Sequence, residues 1–333
     1  MTITFKNSDE RKKHPLAGLI PDAIWNSYFT ANEIEEELLN IMAAKPDGLL
    51  KQIQDSSRTI DGYYAKERIL ATIIFCHKNL SLDKFNEIFQ SIYGASPAIS
   101  YEIISIFAAS SNSEYLKHAL LQVTNINFLA TAFSSAARNG HLDVLKYLEA
   151  KAPNDLQAMI AADSYGAFRY AARNGHLDIL KYLEAKAPND LQAMIKAENY
   201  VAFHYAATNG HLDVLKYLAD IAPNYLQDMI KAQHYAAFHD AAQNGHLDIL
   251  KHLEEKILPK ENLQAMIKEN DYAAFYRAAK NGHLNVLRYL EAKAPNDLQA
   301  MIKANDYLAF RDAAINGHLD ILKHLEEKIL PKE

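Results

Sequence analysis

Fourteen histidines in 333 residues invite a metal-site reading, and Cys76 beside His77 invites a thiol–imidazole one. Spacing argues against both. Residues one apart on a helix do not face each other, so Cys76 and His77 would each need partners from elsewhere in the chain. Six of the histidines, His141, His176, His211, His246, His283 and His318, share one slot of a recurring stretch. Helices stacked side by side lie about 8–10 Å apart, whereas two ligands of one zinc each stand about 2 Å from it. The histidine ladder is therefore expected to be structural, each imidazole helping to cap a turn. Six of the eleven glycines belong to the same stretch, and the others form no phosphate-cradling loop or dinucleotide fingerprint. Glu35, Glu36 and Glu37 read as a solvated helix face. The residues imply no catalytic constellation, no cofactor and no metal, and the chain is read as a non-enzyme.

The recurring stretch is Ala-Ala-x-Asn-Gly-His-Leu-Asp-Val/Ile-Leu-Lys, and its asparagines are Asn139, Asn174, Asn209, Asn244, Asn281 and Asn316. The steps between them are 35, 35, 35, 37 and 35 residues, the longer one coming from the Ile-Leu-Pro-Lys-Glu insertion at 257–261. A fixed period in the range of about 20–50 residues signals an array of stacked units. Within one unit Phe168, Ala171 and Ala172 recur at helical spacing. Asn174-Gly175 stops that helix, since glycine reaches the left-handed conformation without a Cβ clash. A second helix opens at His176-Leu177-Asp178, with the aspartate near the positive end of its dipole. Leu177, Leu180 and Leu183 stripe it, and Pro188 ends it. The run from Asp190 to Ile195 reads as a third, shorter helix with Leu191, Met194 and Ile195 on one side. One unit buries too little to offset the entropy of fixing its backbone, so the copies must share a continuous core.

The run Ala-Ala-x-Asn-Gly-His-Leu-Asp-Val-Leu-Lys-Tyr-Leu resembles the helix–turn–helix heart of an ankyrin repeat, and the resemblance extends from about residue 130 to the end. It implies an all-α fold, an α-solenoid of ankyrin-like helix–turn–helix repeats. Two features depart from that family. Its Thr-Pro-Leu-His opening is replaced by Ala-Phe-x-x, as at Ala167-Phe168-Arg169-Tyr170. Its Gly-Ala-Asp/Asn finger is replaced by Ala-Pro-Asn-Asp-Leu-Gln-Ala-Met-Ile, where helix rather than a β-hairpin is expected. Diverged arrays of this kind are similar to ankyrin proteins of giant viruses and to secreted ankyrin effectors of Legionella-type intracellular bacteria. The resemblance implies a protein–protein interaction scaffold whose partner, a host or cytosolic protein, binds the concave face.

Composition sets outer bounds. A net charge of −6 gives no general pull toward nucleic acid or an anionic membrane. The lone Cys76 excludes an intramolecular disulfide framework and suits a reducing compartment. The polar first fourteen residues do not resemble a signal peptide, and the longest apolar run, residues 69–76, is far short of the roughly 20 a membrane span needs. The expected location is cytoplasmic, including delivery into a host cytosol. Residues 1–130 are expected to form a helical N-terminal region, with helical periodicity over 31–44, 63–77, 82–93, 99–109 and 114–124. Whether it extends the array with worn repeats or stands apart is left open. Residues 131–333 hold the six repeats. The last copy duplicates residues 253–261 and then stops without a polar cap, which favours a fragment of a longer chain.

The copies differ in few places. Numbered from Phe133, Phe168, Phe203, Phe238, Phe275 and Phe310, position +1 reads Ser134, Arg169, His204, His239, Tyr276 and Arg311. Position +2 reads Ser135, Tyr170, Tyr205, Asp240, Arg277 and Asp312, and positions +5 and −2 vary as widely. At about 100° per residue these slots gather opposite the Phe and Ala core on one face of the first helix. Exposed slots of the second helix hardly change, which favours a diversified recognition surface over drift. The expected partner-binding residues are Arg169, Tyr170, His204, Tyr205, His239, Asp240, Tyr276, Arg277 and Arg311, since Tyr and Arg dominate interface hot spots. Three rival readings stand beside this one, the least specified being an enzyme within residues 1–130 for which no residues can be named. Residues 21–29, a proline followed by apolar residues at helical spacing, are similar to the opening of an F-box, and would make the chain a ubiquitin-ligase adaptor. The plainer reading of that segment is a capping helix with Trp25 in the core. An RNA-reading helical array is the third rival, disfavoured by the acidic balance and by Asp240 and Asp312.

Overall fold

In the computed structural model, the described residues are 123–257 and 262–329, with residues 2–3, 34–35, 114, 117–118 and 120–121. The chain divides into two compact units, residues 1–136 with 143–155, and residues 137–142 with 156–333. The periodic segments of 1–130, Cys76, His77 and residues 21–29 fall almost wholly outside the described residues. One correction is visible there: Ile34–Glu35, expected within a helix, pairs antiparallel with Thr2–Ile3.

Twelve helices carry the repeats: α1 (Ile126–Arg138), α2 (Leu142–Lys151), α3 (Leu156–Arg173), α4 (Leu177–Lys186), α5 (Leu191–Thr208), α6 (Leu212–Ile221), α7 (Leu226–Gln243), α8 (Leu247–Lys256), α9 (Asn262–Lys280), α10 (Leu284–Lys293), α11 (Leu298–Ile315) and α12 (Leu319–Ile329). In the first unit Lys117 bridges Glu114 and Asp143 at 2.8 and 2.7 Å, and Phe133 is fully buried. In the second, each long helix packs on the next, α3 on α5, α5 on α7, α7 on α9 and α9 on α11. Phe168, Phe203, Phe238 and Phe275 form the seam between them, with the paired alanines three and four residues on wholly buried. The small alanines let neighbouring helices approach closely around each ring. Ile179, Leu180 and Leu183 and their counterparts bury the inner side of the short helices. Proline at 188, 223 and 295 opens one turn of 3₁₀ helix just after a short helix ends, as its missing N–H requires. No helix among the described residues is long and apolar enough to cross a membrane.

Each long helix is two right-handed pieces joined by a left-handed turn. Residues 163–165, 198–200, 233–235, 270–272 and 305–307 all have φ between 47° and 62°, and none is glycine. Left-handed geometry costs an L-residue about 1–2 kcal/mol, less for Asn and Asp, which occupy several of these sites. Surrounding contacts must therefore hold it. The third residue is always tyrosine, and Tyr165, Tyr200, Tyr235 and Tyr272 are half-buried. Tyr200 donates to Asp228 of the following long helix at 3.5 Å. This turn stands where the family's finger would be, so the expected helix is present but stops at Ala161, Lys196 and their equivalents.

Two side chains recur across the joints. The histidine does not cap its own helix: His176, His211, His246 and His283 make no N-cap hydrogen bond. Its Nε2–H reaches the preceding repeat instead. His176 donates to the Arg138 carbonyl at 3.0 Å, His246 to Thr208 at 3.1 Å and His318 to Lys280 at 2.9 Å. On the other side, Gln157, Gln227, Gln264 and Gln299 donate to the last carbonyls of the next short helix, at Lys186, Lys256, Lys293 and Lys328. Orphan carbonyls at helix ends are thus satisfied across repeats rather than within them.

Short helices carry a third ladder. Tyr217 donates to Glu184, Tyr289 to Glu254 at 2.9 Å, and His324 meets Glu291 at 2.8 Å. His252 occupies the same slot, but its counterpart is Ala219 rather than glutamate, and its buried Nε2 has no hydrogen-bond partner among the described residues.

Acidification is expected to loosen this array. Burial pushes His239, His252 and His283 below the ordinary imidazole value, helped at His252 by Lys256 and Lys216 and at His283 by His246 and His318. Below about pH 6.5 the unfolded chain takes up protons that the folded one refuses. Stability is thus fully present above that value and falls toward the lowered folded values. Asp240, which burial pushes up but His204 and Arg277 bring net below the usual range, extends the loss into more acid solution. Melting temperature should be level from about pH 7 to 8 and drop between about pH 6.5 and 5; a level profile throughout would contradict this account.

Candidate functional site

The four variable slots of the first helix do not share one exposed face. Position −2 turns inward: Val201 is 7% exposed and Ala273 wholly buried. Position +1 lies between neighbouring long helices. Arg169 and His239, expected at the surface, are only 4% and 2% exposed. A first helix inside an array packs on a neighbour at either side, so its buried arc is wider than that of a helix lying on one core.

Arg169 is occupied there. Its Nε donates to the Ser164 carbonyl at 3.0 Å and Nη2 to the Asp163 carbonyl at 2.6 Å, both in the left-handed turn. Its guanidinium also pairs with the carboxylates of Asp163 and Glu198 at 3.3 and 3.1 Å. His239 lies against Phe238 and donates from Nε2 to the Met266 carbonyl at 3.1 Å. These two residues build the joint. At the last repeat, the same +1 slot leaves Arg311 exposed, 3.8 Å from Asp306. Tyr276 is half-buried, as is His204.

Positions +2 and +5 form the open ribbon. Tyr170, Tyr205, Asp240, Arg277 and Asp312 are half-buried, while Arg138, Arg173, Lys280 and Ile315 are exposed. Several of them meet across the joint. Arg138 stacks 4.0 Å over the Tyr170 ring and Arg173 5.1 Å over Tyr205, in each case +5 of one repeat on +2 of the next. Lys280 and Asp312 make the same pairing as ions at 3.9 Å. In the middle, His204 Nε2 meets Asp240 at 2.7 Å and Arg277 Nη1 meets the other oxygen at 2.9 Å. Tyr205 lies on the His204 ring at 5.9 Å between centroids. Of the nine residues expected to bind a partner, the structure brings Tyr170, His204, Tyr205, Asp240, Tyr276 and Arg277 along one ribbon, sets Arg311 at its end, and takes Arg169 and His239 inside. The exposed +5 side chains, above all Arg138 and Arg173, also belong to the ribbon, although the expected set does not include them. Their signal was in the sequence, in the arginine that precedes each tyrosine-bearing repeat.

His176, His246, His283 and His318 are engaged with carbonyls of the preceding repeat, and among the described residues no group of three His, Cys, Asp or Glu could hold a metal ion.

Comparison with known proteins agrees with this architecture. A family model described as ankyrin repeats matches three times, at residues 104–193, 168–263 and 238–330. The X-ray structure of an ankyrin repeat family protein from Legionella pneumophila is similar at a TM-score of 0.55 and 24% identity, covering 100% of this chain and 99% of that one. That likeness bears on the fold. No curated protein matches.

Proposed function

Because the chain belongs to the ankyrin-repeat family, whose repeats are protein-interaction modules, we propose that residues 131–333 are a non-enzymatic scaffold gripping another protein along the first-helix ribbon. One observation carries the reading: the half-exposed side chains that differ among otherwise near-identical repeats lie on that ribbon, with aromatic and arginine residues prominent. Arg169 and His239 shape it from beneath; Tyr170, His204, Tyr205, Asp240, Tyr276, Arg277 and Arg311 offer the contacts. The finer reading is a secreted bacterial effector whose partner is a host protein met in the host cytosol. It is motivated by the diverged repeat openings and fingers described above.

Affinity capture from host cytosol tests it. Tyr205→Ala with Tyr276→Ala should lower recovery of the bound protein about tenfold or more, because truncating an interface hot spot costs about 2 kcal/mol or more. Helicity and melting should hold. Undiminished recovery by a folded double variant would remove the partner from this ribbon.

A further inference from the structure

The ribbon is electrostatically uneven along its length. Toward the C-terminal end its cations are already matched: Arg277 is held by Asp240, which also takes His204, and Lys280 faces Asp312. Toward the N-terminal end Arg169 pairs with Asp163 and Glu198, and Asp163 also accepts from the Tyr170 hydroxyl at 3.3 Å. Arg138 and Arg173 are left over. Both are exposed, and among the described residues neither has an ion-pair partner. Each lies over a tyrosine of the next repeat, Arg138 on Tyr170 and Arg173 on Tyr205. A stacked guanidinium is held in place by its face while its N–H edge stays available, and that planar fork matches a carboxylate with two hydrogen bonds. The main chain beneath is fixed as well, since the Arg138 carbonyl accepts from both Asn174 at 2.6 Å and His176 at 3.0 Å.

From this geometry we infer that the Arg138–Tyr170–Arg173–Tyr205 stretch docks an acidic peptide segment, one carboxylate side chain to each stacked arginine. The inference rests on the interaction reading above and narrows it to a partner chemistry and to one half of the ribbon. Phosphate of single-stranded nucleic acid is the competing anion. Asp240 and Asp312 along the same ribbon, and the net charge of −6, favour a short acidic peptide over a continuous polyanion.

The test is fluorescence anisotropy of the full chain with labelled ten-residue peptides of alternating glutamate and glycine. A glutamine counterpart and an eight-nucleotide single-stranded RNA serve as the other probes. The glutamate peptide should bind at low salt, weaken as salt rises, and exceed the glutamine peptide about ten- to a hundredfold, the range expected for one or two charge-assisted hydrogen bonds. Arg138→Gln with Arg173→Gln should erase that preference, whereas Lys181→Gln with Lys251→Gln, exposed on the short helices away from the ribbon, should keep it. Equal binding of the glutamate and glutamine peptides by the unaltered chain overturns the inference without any variant. So does tighter binding of the RNA, lost in the same arginine pair. If the glutamate peptide fails while protein capture still depends on Tyr276, the acidic chemistry falls and the interaction ribbon stands.

Discussion

Replacing Gly210 with alanine is expected to cost about 2–5 kcal/mol of stability, roughly 1–2 from the backbone and 1–3 from overpacking. Gly210 has φ +76°, and a Cβ built there would stand 2.7 Å from Cε1 and Nδ1 of His246. That imidazole cannot simply swing away, because its Nε2–H satisfies the Thr208 carbonyl. Gly317 separates the two contributions. Its φ is +75°, yet nothing lies within 4 Å of its added Cβ. Gly317→Ala should therefore show only the backbone part, about 1–2 kcal/mol. Urea unfolding of both variants checks this, and equal losses at the two sites would show that the histidine yields freely.

A second large loss is expected from Phe203→Ala, about 3–5 kcal/mol. Phe203 is 1% exposed in the middle of the seam, among alanines too small to close over a vacated ring. Phe310 supplies the contrast, since at the last repeat the same slot is only half-buried, and its truncation should cost clearly less. Denaturant midpoints report both, provided the slope m is unchanged so that the shift reads as stability. A loss below about 1 kcal/mol at Phe203 would be in the range of surface changes and would contradict a filled seam there.

The repeat period, the paired helices, the Phe–Ala–Ala core and the proline stops could all be read from the residues alone, because each follows from local periodicity or backbone chemistry. The left-handed turns could not. Asn199, Asn270 and Asp271 hint at them, but Glu198, Gln233 and every Tyr that follows are residues that avoid positive φ, and only tertiary contacts hold them there. The burial of Arg169 and His239 was hidden for a different reason. A projection around one helix assumes a single packed side, whereas an array helix is flanked by two. Treating slots one at a time also concealed their pairing: Arg173 varies together with Tyr205, and Lys280 together with Asp312. Reading neighbouring copies jointly would have shown it, as it would have shown that Ala219 leaves His252 without the glutamate its equivalents meet.

The backward-reaching histidines bear on how the protein is made. The Arg138 carbonyl waits for an imidazole encoded 38 residues later, as do those of Thr208 and Lys280. At about 5–20 residues per second the ribosome needs about 2–8 s to deliver the residue that seals each turn. The helix ends at Arg138, Thr208 and Lys280 are therefore sealed only once the following repeat has been made, so each stays open at the growing edge of the array until then.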